Sequence, residues 1–179
     1  MKHDAFTLIE LSIAIVLIGI IAVIGYPNLS RMYYVFQLEG CVVNVAGDIR
    51  FIMNESLSHK EVVRQNGTGE AYINVCYGLE FTSDKSYKLY RYVYNPDTKT
   101  WDVENDLTEV KFFPAGAQIE GFSDPVSPPP HKILYNNRGE PTGDGINLLG
   151  NNQIIFRSTY INQTRKITID LSTGKPRIE

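Results

Sequence analysis

Nineteen consecutive residues, Leu8 to Tyr26, hold only two plainly polar side chains, Glu10 and Ser12. No other feature limits the fold as strongly. As a helix rising about 1.5 Å per residue, the run spans roughly 28 Å, close to the hydrocarbon thickness of a bilayer. Lys2, with His3, lies on its N-terminal side. The positive-inside rule therefore leaves that end in the cytoplasm and sends the rest of the chain outward. A cleaved secretory signal needs a small-residue site after the run, but Gly25-Tyr26-Pro27-Asn28 follows it without an A-x-A pattern. A plain signal anchor explains the length and not Glu10, because an ionised carboxylate within the bilayer costs about 3 kcal/mol on insertion scales. Either that carboxylate has a partner, or it snorkels to the cytoplasmic headgroups or stays protonated.

Around that carboxylate, Ala5-Phe6-Thr7-Leu8-Ile9-Glu10-Leu11 resembles the prepilin motif of type IV pilins and type II secretion pseudopilins. The resemblance implies a leader at 1–5, cut by a prepilin peptidase between Ala5 and Phe6, with the apolar helix kept on the mature protein. Ala5 stands where the family usually has Gly, and is similarly small. The resemblance also implies N-methylation of Phe6 by the same enzyme, and pairing of Glu10 with the Phe6 amine of a neighbouring subunit. Each buried charge would then meet its counterpart only on assembly, and losing one partner of such a pair costs roughly 3–5 kcal/mol. Pro27 removes a helical hydrogen bond and favours a kink, while Gly19 and Gly25 ease local unwinding. Filaments of this family have a melted stretch in that region.

Beyond Pro27 an apolar series continues through Leu29, Met32, Phe36, Gly40, Val43, Ala46, Ile49, Met53 and Leu57, with Arg31, Gln37, Glu39, Asn44, Asp48 and Arg50 between them. The average step of 3.5 residues predicts one helix from about residue 8 to about residue 58. A helix that long needs something to cover its stripe. Gly40, Ala46 and the polar interruptions make a poor coiled-coil seam, so a sheet is the better cover. The remaining sequence supplies one: strands are predicted at 71–81, 86–94, 101–103, 108–113, 131–135, 153–158, 165–171 and 177–178, with turns at Asn66–Gly69, Asn95–Thr98, Pro114–Gly116 and Ser172–Gly174. Asp124–Pro130, with four of the nine prolines, reads as an extended loop. The fold class is α+β. The order resembles the pilin architecture, with leader 1–5, helix 6–58 (membrane segment 8–26) and a β-rich domain 59–179. At the level of pattern it is similar to the minor pseudopilin and FimT-like branch.

Three side-chain groups invite chemistry. Cys41 beside the stripe and Cys76 in the first strand would face an oxidising compartment, where a disulfide persists; the alternative is two separate buried thiols. Between Asn95 and Asp124 seven acidic residues stand against two lysines. Asp102, Glu104 and Asp106 alternate as calcium ligands could, and calcium binding is known for the major pseudopilins; lacking EF-hand spacing, a solvated hairpin tip is the plainer reading. From Gly150 onward, Arg157, Arg165, Lys166, Lys175 and Arg177 outnumber Asp170 and Glu179. Some FimT-like minor pilins bind DNA through such a segment, although so few phosphate contacts give weak, salt-sensitive binding, and solvated strand faces are the default reading.

Composition excludes the other classes. A formal charge of -3 rules out a strongly basic nucleic-acid binder, and two cysteines cannot form a disulfide scaffold. His59 and His131 stand in no motif, and no G-x-S-x-G, C-x-x-C, H-E-x-x-H or phosphate loop occurs. Gly139–Gly145 is a turn-rich loop without the lysine of a nucleotide site. The expectation is therefore no enzyme, no cofactor and no metal. The chain reads as a bacterial inner-membrane subunit, with its N-terminus cytoplasmic and its β domain periplasmic. It would enter a type IV pilus or a type II secretion pseudopilus, with other subunits, the prepilin peptidase and the assembly platform as partners. A minor, tip-associated subunit is favoured, with a DNA-uptake minor pilin and a major pilin as alternatives.

Overall fold

The computed structural model describes residues 7–58, 62–66, 69–73, 75–95, 100–122, 131–142 and 152–179. Ala5, Phe6, the Asp124–Pro130 loop and the Pro96–Thr98 turn lie outside them. One helix, α1 (Leu8–Ser58), runs unbroken for 51 residues, or about 77 Å. Its path stays helical through Pro27, where the hydroxyl of Ser30 donates to the Pro27 carbonyl at 3.0 Å.

Among the described residues every strand pair after the helix is antiparallel. A hairpin of β1 (Val62–Asn66) and β2 (Gly69–Ile73) comes first. One sheet then takes the order β5-β4-β3-β8-β9, built from β3 (Val75–Ser83), β4 (Ser86–Asn95), β5 (Thr100–Asp106), β8 (His131–Tyr135) and β9 (Pro141–Thr142), with β6 (Lys111–Phe112) on β4. The other takes the order β12-β11-β10-β7, from β7 (Ala117–Phe122), β10 (Gln153–Ser158), β11 (Thr164–Ile169) and β12 (Pro176–Ile178). Both sheets cover the second half of α1, and a single core joins Leu38, Val42, Val45, Ile49 and Ile52 to Leu79, Phe81, Ile133, Phe156 and Ile167. The α+β architecture with one long N-terminal helix is the expected one.

The face that α1 buries is not the expected stripe. Its buried residues are Leu38, Cys41, Val42, Val45, Ala46, Ile49, Ile52, Met53 and Ser56, while Leu29, Met32, Phe36, Val43 and Leu57 are exposed. At about 100° per residue, each three-residue step falls back by about 60°. The steps 40–43–46–49 therefore carry the predicted series from one side of the helix to the other. Two apolar faces had been read as one.

The strands differ in smaller ways. Segment 108–113 pairs only at Lys111–Phe112, and β11 stops at Ile169, leaving Leu171 half exposed in the following turn. Strands β1, β7 and β9 had no counterpart in the sequence reading. The Ser172–Gly174 turn is present, with Gly174 at φ 69° and its N–H bonded to the Asp170 carbonyl at 2.6 Å. The buried phenol of Tyr135 donates to the Gly174 carbonyl at 2.8 Å, tying one sheet to the turn of the other.

Candidate functional site

The start of α1 is built as a reciprocal cap. Thr7 precedes the first helical residue, and its Oγ1 accepts the Glu10 N–H at 3.3 Å. Glu10 Oε2 in turn accepts the Thr7 N–H and the Thr7 hydroxyl, each at 2.9 Å. This Thr-x-x-Glu capping box satisfies helix-end donors, and the helix dipole favours a negative charge there. The sequence reading of Glu10, as an intersubunit partner or as a snorkelling or protonated carboxylate, did not include this cap, although the Thr-x-x-Glu signal before an apolar run was there to find. Ser12, the other polar residue of the run, returns its hydroxyl to the Leu8 carbonyl at 2.8 Å, leaving no hydroxyl proton unsatisfied in lipid.

From Leu8 to Met32 the apolar side chains of α1 are left uncovered by the described residues: Leu8 is 82% exposed and Met32 54%. Among the described residues this is the one helix long and apolar enough to cross a membrane.

The two cysteines do not meet. Cys41 sits in the core under α1, while Cys76 packs with Tyr92 and Leu134 in a separate cluster. Strand alternation explains the separation: Val75, Tyr77, Leu79 and Phe81 point to the helix, so Cys76, one residue out of phase, points away. Both are free buried thiols, and the expected Cys41–Cys76 disulfide is corrected accordingly. Burial pushes each thiol up to about 12 and raises the phenols of Tyr87, Tyr92 and Tyr135 in the same direction. The folded protein thus holds protons that the unfolded chain releases earlier. Stability is complete below the ordinary thiol range and declines as pH climbs through it toward about 12. Two measurements check this: native protein at pH 8 resists alkylation at both positions while urea-unfolded protein takes up two groups, and the urea midpoint at pH 10.5 lies below that at pH 8. Rapid native alkylation, or an unchanged midpoint, counts against it.

The acidic hairpin is already engaged. Arg91 Nε lies 3.2 Å from Glu104 Oε2, and Lys88 bonds Asp106. A bulge between Arg91 and Tyr92 breaks the alternation that would align Asp102, Glu104 and Asp106. Among the described residues no three His, Cys, Asp or Glu side chains converge as a metal site.

The basic tail is also largely paired. Arg157 bonds Glu120 at 2.9 Å, Arg165 reaches Glu39 of α1 at 2.9 Å, and Arg177 lies 3.5 Å from Asp170. The hydroxyl and N–H of Ser172, with a smaller contribution from Arg177, hold the Asp170 carboxyl below the usual carboxylate range. Lys166 and Lys175 lie on β11 and in the turn before β12. Arg165 therefore acts as a staple between β11 and the helix.

The described residues thus present a β domain carried on a capped helix whose first half is apolar, uncovered and long enough to cross a membrane. Residues 1–26 match the family model described as the prokaryotic N-terminal methylation motif. The chain thus carries a prepilin-type N-terminus, the hallmark of structural, pilin-like subunits. The comparisons with curated proteins and with solved structures return no match.

Proposed function

We propose that this chain is a structural subunit of a type IV pilus or a type II secretion pseudopilus, assembling through α1. One observation carries the reading: the methylation motif at residues 1–26 runs directly into a helix whose apolar surface is uncovered as far as Met32. Such a surface is stable in lipid or against other helices, and a filament subunit meets both in succession. The subunit enters the inner membrane with its N-terminus cytoplasmic and its β domain periplasmic. There the prepilin peptidase cuts between Ala5 and Phe6 and methylates Phe6, and the assembly platform hands the subunit to its neighbours. Glu10 then exchanges its own Thr7 donors for the amine of the adjoining protomer. The reading needs no cofactor and no calcium.

Within that reading the chain is a minor, tip-associated subunit, a refinement supported by the pattern of its β region and checked by its copy number in purified filaments. The DNA-uptake alternative draws less support, because Arg157, Arg165 and Arg177 are already bound to carboxylates. Mass analysis of the chain from cells with an active peptidase tests the main reading. The expected mature form begins at Phe6 with one added methyl group. A chain that keeps Met1 and stays out of filaments overturns it.

A further inference from the structure

Tyr160 is an exposed aromatic that the fold holds rigidly. It lies in the turn joining β10 to β11 and is 59% exposed. Its ring stacks on Tyr34 of α1 at 4.3 Å between centroids and 24° between planes, and Tyr33 meets Tyr34 edge-on at 5.5 Å. The Tyr160 ring also lies against Gly116, at φ 88°, where an added Cβ would stand 2.2 Å from a ring atom. The turn itself is fixed, with the Thr159 N–H bonded to the Gly116 carbonyl at 2.7 Å and the Ser158 hydroxyl accepting the Ile161 N–H at 3.3 Å. Ordering a large side chain without burying it gains little in water, so this arrangement calls for a medium that rewards an amphipathic ring.

We propose that this turn is a lipid-contact surface, with Tyr160 resting in the headgroup layer of the membrane that α1 spans. The proposal rests on the reading of α1 as a membrane span. Tyr34 lies eight residues beyond Tyr26, about 12 Å along the helix axis. Helical side chains lean toward the N-terminus and cover roughly the preceding turn, which lowers these rings by about 5 Å. The headgroup region extends about 5–7 Å beyond the hydrocarbon on each side. The Tyr33–Tyr34–Tyr160 group therefore lies at its outer margin, and an ordinary helix tilt of about 20° toward the turn brings Tyr160 into it. Tyrosine favours this depth because its ring is apolar and its hydroxyl stays hydrated. The side chains between, Leu29 and Met32, are exposed and apolar, and exposed Arg31 can meet lipid phosphates. On the face directly below Tyr34 stand Pro27, Ser30 and Arg31, so the approach to the turn is amphipathic, as the headgroup layer is.

The test places a single tryptophan at a chosen depth in the full-length chain, with Trp101 changed to Phe. Leu17→Trp reports on the span, Tyr160→Trp on the turn, and Phe112→Trp on a domain site beside Val43 and Gly47, about 14–20 Å farther along the helix than Tyr34. Each variant is checked for an unchanged melting temperature and reconstituted at low density in phosphatidylethanolamine–phosphatidylglycerol vesicles. Brominated acyl chains or a headgroup nitroxide lipid serve as quenchers. The expected result is strong bromine quenching at 17, and headgroup quenching at 160 several-fold greater than at 112. Quenching at 17 with equal, weak headgroup quenching at 160 and 112 overturns the lipid contact and spares the span. No quenching at 17 overturns the span and the proposal with it. Emission at 160 that shifts blue only at high protein density, without headgroup quenching, assigns the turn to another subunit and equally overturns the proposal.

Discussion

Changing Glu10 to Val yields subunits that are processed and inserted but absent from filaments. The proposed partner, the methylated amine of Phe6 on the next protomer, would then be buried without a counter-charge. Losing one member of such a pair costs roughly 3–5 kcal/mol, so the assembled fraction falls by at least about a hundredfold. The capping box supplies the control. Thr7→Val removes the hydroxyl that accepts the Glu10 N–H, at about 1 kcal/mol, yet keeps the carboxylate for the neighbour. Comparing sheared filaments with membrane-retained protein for both variants separates the two roles. Equal incorporation of the Glu10→Val subunit and the wild type would falsify the intersubunit pairing.

The second large effect separates the two apolar faces of α1. Ile49 has no exposed surface and lies in the core shared by both sheets. Ile49→Ala is expected to lose about 2–5 kcal/mol, lowering the melting temperature of the detergent-solubilised chain by about 10 °C. Phe36 lies on the opposite face and is 58% exposed. Phe36→Ala should leave the isolated subunit within about 0.5 kcal/mol of the wild type while weakening its incorporation into filaments. If Phe36→Ala destabilises the subunit as much as Ile49→Ala, the division into a core face and a free face is wrong.

Those two faces also mark what could be read in advance and what could not. Length and composition alone define an apolar run such as Leu8–Tyr26, and the helix ends at Ser58 where its periodic series ends. Which side of a helix is buried depends on the geometry of the sheets above it, and those are assembled from residues far along the chain. The stripe was misassigned for that reason. A similar ambiguity misled the disulfide expectation: the strand containing Cys76 was evident, but its phase follows from pairing with β4 and β8, so a one-residue offset placed the thiol on the far face. Strand β7 escaped notice because only Ala117 and Ile119 are buried along it, an inward face with little hydrophobic contrast. Its pairing with β10 also carries a register shift between Ile155 and Phe156. At the candidate site, the carboxylate in the membrane run was conspicuous, whereas its local Thr7 partner was hidden within the same motif.

The staples between the two ends of the chain have a consequence for biogenesis. Glu39 bonds Arg165, and Arg50 bonds the Pro176 carbonyl, each across 126 residues of sequence. Part of the cover on the core face of α1 comes from β10 and β11, among the last segments to be synthesised. On the periplasmic topology proposed above, the helix would leave the translocation channel as an open amphipathic rod, and the domain could not close fully until nearly the whole polypeptide had been exported. Such long-range closure is slow and leaves sticky surface exposed in the meantime, which makes the interval between secretion and folding the point at which this protein most needs chaperone protection.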